Sequence, residues 1–223
     1  MMEQILHPRI VENKDWATAL FLFSLVLIAL SKSLFENRFS EFIKLIVSDK
    51  YLKVYKDSGL IMSWFTVFLF VVQIVSFSFF IHLLLTSFGY IVKTDWISFI
   101  QVFTFLTVFI LSKYLIEKII GAAFDIEEFV EQFNLQKVSY RTFIGLFLLP
   151  INCFLYYNDS ISHNLILFFL FIILIINVLT YLLSIKNYQN ILFGNLFYFI
   201  LYLCALEIAP YYFMYYWFTK GVA

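Results

Sequence analysis

Charge is scarce in this chain. Of its 223 residues only 13% are Asp, Glu, Lys or Arg, against roughly 25% in an ordinary soluble domain. Fifteen basic residues balance fifteen acidic ones, for a formal net charge of +0, so no global field invites nucleic acid. Cysteine is nearly missing too: the sequence holds only Cys153 and Cys204, both inside apolar runs. That excludes a disulfide framework and thiol metal-ligand spacing, and leaves two inert buried thiols. There is no nucleotide-binding loop, nucleophile elbow or zinc-protease helix motif. His82 is followed by Leu83, Leu84, Leu85 and Thr86, with no second ligand at i+3 or i+4. No catalytic residue, metal or cofactor is implied. No segment repeats with a period of about 20–50 residues, so the internal symmetry of many transporters is not visible. The N-terminus has no lysine-led n-region and its first apolar run has no cleavage site behind it, so that run is expected to be a retained span.

What the chain has is apolar surface. It is 63% hydrophobic and 22% aromatic, with a mean hydropathy of +0.90, more than a water-soluble fold of this size can hide. Hydrocarbon accepts such a chain only if every backbone polar group is paired internally, which leaves helices and closed barrels. The apolar runs are continuous over about 17–25 residues instead of alternating over about 10, which selects helices. The expected fold is all-α, a single polytopic transmembrane domain with spans at about 16–35, 60–87, 96–116, 142–157, 165–184 and 191–216. The 142–157 span is interrupted by Pro150. Trp16, Trp64 and Trp96 stand at span starts and Tyr156 and Tyr157 close a span, where amphipathic rings settle at headgroup depth. The thirty Phe and fifteen Tyr are read as packing and lipid-facing surface.

Orientation follows from Lys and Arg. With these spans, Arg9, Lys14, Lys93 and Lys220 fall on one side, and the other eleven basic residues, from Lys32 to Lys186, fall on the opposite side. The positive-inside rule then places the long loops in the cytoplasm and both termini outside. Two amphipathic segments lie in those loops. Within 39–47, Phe39, Phe42, Ile43 and Ile46 share a helical face; within 125–135, Ile126, Phe129, Val130 and Phe133 share another, behind a capping-box-like Asp125 and Glu128. Either segment could dock a membrane-protein partner. The plainer alternative is helices lying on the lipid bilayer or covering the bundle end, which needs no partner.

Polar groups inside the spans are the candidate functional residues. Glu207 is the only acidic residue within an apolar span. An acidic side chain at the bilayer centre costs roughly 2.5–3.5 kcal/mol on insertion scales. Counting from Ile191, Glu207 lies about 24 Å along a core about 30 Å thick, near the outer interface. It could handle protons or solute, bond a neighbouring helix, or cap backbone freed by Pro210. Pro150 and Pro210 are helix breaks that leave carbonyls unpaired. Asn152, Gln73, His82, Gln101, Asn177 and Asn195 are single polar groups, most simply interhelical glue worth about 0.6 kcal/mol each.

The opening His7-Pro8-Arg9 with Asp15-Trp16, and the closing stretch from Asn195 to Pro210 with its Leu206-Glu207-Ile208-Ala209-Pro210 element, resemble a domain-of-unknown-function family of polytopic inner-membrane proteins from Bacteroidetes. The resemblance covers essentially the whole chain. It implies a bacterial inner-membrane location and carries over no activity, ligand or catalytic residue. The function expected is a non-enzymatic accessory or structural subunit of a membrane complex. The alternatives are a small-solute or proton-coupled permease using Glu207 and, third, a membrane-embedded lipid-modifying enzyme.

Overall fold

The computed structural model describes residues 14–46, 51, 63–123, 127–158 and 163–187, and these are helical throughout apart from short connections. Among the described residues, five helices are long and apolar enough to cross a membrane. The expected span 191–216 lies outside the described residues, and with it Asn195, Glu207 and Pro210.

Helix α1, Asp15–Leu34, places Asp15 in its first turn and Lys32 in its last, each matched to the helix dipole. Its buried residues Ala17, Phe21, Ser24, Leu27 and Ser31 recur every three or four positions and form one stripe. The two serines do not disturb it, because their hydroxyls donate to the Leu20 and Leu27 carbonyls at 2.9 and 2.8 Å. Leu22, Phe23, Leu25 and Val26 face outward. The chain turns at Phe35 into α2, Glu36–Ile43, followed by a 3-10 turn, Lys44–Ile46.

Short helix α2 lies over the bundle end, with Phe42 packed edge-on against Phe65 and Phe143. Its buried face differs from the expected one. Arg38, Phe39, Phe42 and Leu45 point inward, whereas Ile43 is exposed. Burial of Arg38 rotates the helix away from a purely apolar face.

Helix α3, Trp64–Ser87, carries no Lys, Arg, Asp or Glu and is the most buried of the long helices, from Phe65 and Leu69 through Val72–Ser76 to Phe79, Phe80, His82 and Leu83, with Trp64 and Val67 exposed. It is the axis of the molecule: α1 and the three long helices that follow all pack against it. Helix α4, Trp96–Ala123, runs back beside it, and its 28 residues make about 42 Å, longer than the hydrocarbon core. Only Phe99, Lys113, Glu117 and Gly121 of α4 are buried.

Helix α5, Glu127–Tyr157, is continuous over 31 residues. The described part of the 125–135 segment, expected as a separate amphipathic helix, and the 142–157 span are therefore one element, with Val130 and Phe133 turned into the bundle. Pro150 sits inside this helix. Its missing N–H leaves the Leu146 carbonyl without an i+4 donor, and the helix carries on for two more turns. Helix α6, His163–Asn187, packs against α5 and α3 among the described helices, with Phe168, Phe171, Leu174, Val178 and Leu179 exposed.

The long helices alternate in direction, giving the bundle a Trp96 end and a Trp64 end. At the Trp96 end Thr18 hydrogen-bonds the Tyr157 hydroxyl, the Lys93 ammonium donates to the Asn158 carbonyl at 2.9 Å, and the Phe88 and His163 rings meet at 5.0 Å.

Candidate functional site: a polar seam along the central helix

Polar side chains inside the bundle collect where α3 meets α5 and where α5 meets α4. In the middle, the Thr142 hydroxyl donates to Gln73 Oε1 at 2.8 Å, with both residues buried. One helical turn on, Gly145 faces the same place: a Cβ there would lie 2.9 Å from Gln73 Cα. The missing side chain is what lets the two helices approach closely enough for the Thr–Gln bond. Further along the same face, Asn152 donates through Nδ2 to the Ser76 carbonyl at 2.6 Å. Thr142, Gly145, Leu149 and Asn152 follow the three-to-four spacing of one helix face. The contact is thus a run of direct bonds around a glycine.

At the Trp64 end the seam is charged. Lys137 on α5 donates to Glu117 on α4 at 2.8 Å, with side-chain exposures of 9% and 4%. The Lys137 ammonium also lies 4.9 Å from the Phe133 ring centre. Gly121, one turn beyond Glu117, brings Val130 within 3.2 Å of a would-be Cβ, so α4 and α5 converge here. Nearby, Arg38 is buried: its Nη1 donates to the Ser63 hydroxyl at 2.6 Å and its guanidinium stacks 4.8 Å from the Phe65 ring centre. A planar fork can do both at once, which ties α2 to the start of α3.

At the Trp96 end, His82 Nε2 lies 3.1 Å from the Asp95 carbonyl. A carbonyl can only accept, so Nε2 carries the proton. Asp95 caps α4, accepting from the Ile97 N–H at 3.0 Å and the Ser98 hydroxyl at 2.6 Å. The Ser98 hydrogen bond is the main cause that holds its carboxyl below the ordinary 3.8. A carboxyl lowered by folding stabilises the fold above its unfolded pKa, and that contribution is lost as pH falls through the folded value. Acidification below about pH 3.8 is therefore expected to loosen the α3–α4 connection. In detergent melting curves Asp95→Asn should keep the cap at neutral pH and flatten this acid response, while Asp95→Ala should lower the midpoint at both pH values.

Of the residues singled out in the sequence, Gln73, Asn152 and His82 come together along α3, all with less than 3% exposure. Asn177 does not join them. On α6 it bonds its own helix's Ile173 carbonyl at 2.8 Å. Gln101 is exposed on α4. The sequence does not single out Glu117, Lys137 or Arg38; Lys137 and Arg38 count there only among the basic residues of the expected cytoplasmic side. The available signal was Lys113, Glu117 and Gly121 at i+4 intervals between the apolar pairs Leu115-Ile116 and Ile119-Ile120.

Apolar helices of spanning length around an uncharged central helix, with polar groups gathered inside the bundle, define an α-helical multi-pass membrane protein. The model of the family described as domain of unknown function DUF4271 matches residues 17–218, and the chain belongs to that family. No curated protein and no solved structure matches it.

Proposed function

We propose that this protein is a non-enzymatic accessory or structural subunit of a complex in a bacterial cytoplasmic membrane. In this reading the Trp64 end faces the cytoplasm, both termini lie outside and the spans number six. The observation that carries the reading is the closed α3–α5 contact. Thr142 bonds Gln73 directly and Gly145 brings the helix backbones together, so Thr142 and Gln73 serve each other instead of lining a path. The outer helices differ in kind: in their most apolar stretches only 11% of α4 and 6% of α6 is buried. Such faces suit lipid or another membrane protein, and a rigid core with broad apolar flanks is what an assembly subunit needs. Orientation rests on the eleven basic residues on one side against four on the other.

The test is purification of the tagged protein from its native membrane in mild detergent, with mass spectrometry of what accompanies it. One reproducible stoichiometric partner is expected. A clean homo-oligomer without any partner would contradict the proposal and favour transport.

A further inference from the structure

The Trp96 end contains a second polar feature that the α3–α5 seam does not use. Trp16 on α1 reaches into a box of rings: its centre is 5.8 Å from Phe79, 5.1 Å from Phe99, 5.8 Å from Tyr156 and 6.2 Å from His82, the last edge-on at 75°. Within that box the indole nitrogen of Trp16 and Nδ1 of His82 are among the buried polar atoms that have no hydrogen-bond partner among the described residues.

The two atoms are complementary. An indole nitrogen can only donate. His82 gives its Nε2 proton to the Asp95 carbonyl, so in the neutral ring Nδ1 carries a lone pair and accepts. A donor and an acceptor on adjacent rings, each left without a partner in an apolar surrounding, would both be penalised by their lost hydration. Buried polar atoms of native proteins are rarely left so, and where no protein group bonds them a bridging water does. Two hydrogen bonds of about 2.9 Å meeting at a water span roughly 4.7 Å between the nitrogens. The two ring centres lie 6.2 Å apart, edge-on.

We propose that one buried water molecule occupies a site between Trp16 and His82, accepting from the indole N–H and donating to Nδ1. The water completes a chain from α1 through the His82 ring to the capping carbonyl of α4, and locks His82 in its Nε2–H form. His82 is thereby a positioning residue that holds three helices at this end.

The test is solid-state NMR of the nitrogen-15-labelled full chain in lipid bilayers, comparing the native protein with Trp16→Phe, which keeps an aromatic ring and removes the donor. The native protein should show His82 with Nε2 protonated and Nδ1 bare, and magnetisation transfer from a slowly exchanging water to the ring. In Trp16→Phe that transfer should weaken at least severalfold and the Nδ1 resonance should shift. A protonated Nδ1, or no water transfer in the native protein, would overturn the proposal. So would an unchanged His82 signal in a folded Trp16→Phe. Should that variant fail to fold, the native spectrum alone decides.

Discussion

Lys137→Ala is expected to destabilise the protein by about 3–5 kcal/mol, the range for removing one partner of a buried ion pair. The loss is large because the Glu117 carboxylate, 4% exposed, would keep its desolvation and lose the ammonium 2.8 Å away. Glu117→Gln should cost less, since a neutral amide still accepts from Lys137. The double variant Glu117→Gln with Lys137→Met should recover most of the loss, because buried pairs replaced by fitting uncharged groups are often close to neutral. Denaturant titration in detergent micelles, arranged as a double-mutant cycle, measures this directly. Single variants within about 0.5 kcal/mol of the native protein would show the pair behaving as a surface one.

Gly145→Val should be nearly as damaging, through shape instead of charge. The new Cβ would press on Gln73 Cα at 2.9 Å, and a backbone atom in a buried helix cannot rotate away. Overpacking of this kind costs about 1–3 kcal/mol, and separating α3 from α5 also stretches the Thr142–Gln73 bond. Gly145→Ala meets the same clash, offset in part by the roughly 1 kcal/mol that alanine gains over glycine inside a helix. Gly121→Ala is the milder comparison: its nearest neighbours are Val130 Cβ and Cγ2 at 3.2 Å, a contact that asks for a shift of only a few tenths of an ångström. Thermal midpoints should rank Gly121→Ala above Gly145→Ala above Gly145→Val. A Gly145→Ala midpoint equal to or above that of Gly121→Ala would contradict the close α3–α5 approach.

Hydropathy and chain length made the membrane class legible, because a run such as Trp64–Ser87, without Lys, Arg, Asp or Glu, has few other environments open to it. Gln73, Asn152 and His82 were legible for a related reason: single polar groups in apolar helices need partners, and all three find them on or beside α3. What could not be read was pairing. Lys137 and Glu117 lie in stretches polar enough to pass for cytoplasmic loops, and only the extension of α5 through 127–141 turns them toward each other. Arg38 looked like the solvated edge of an amphipathic helix until Ser63 and Phe65 appeared beside it. Asn177 differs from Gln73, Asn152 and His82: its side chain bonds the Ile173 carbonyl of its own helix.

The central claim is that the α3–α5 contact is closed, and cysteine accessibility at Thr142 tests it most directly. With Cys153 and Cys204 replaced by serine or alanine, Thr142→Cys would be treated with a small, charged, water-borne thiol reagent in membranes open to both sides. Ser33→Cys, exposed at the end of α1, is the positive control. The closed contact predicts rapid modification at position 33 and none at position 142 until the protein is denatured. Modification at 142 in the native membrane would mean that water reaches the seam, and would turn the scaffold into a conduit.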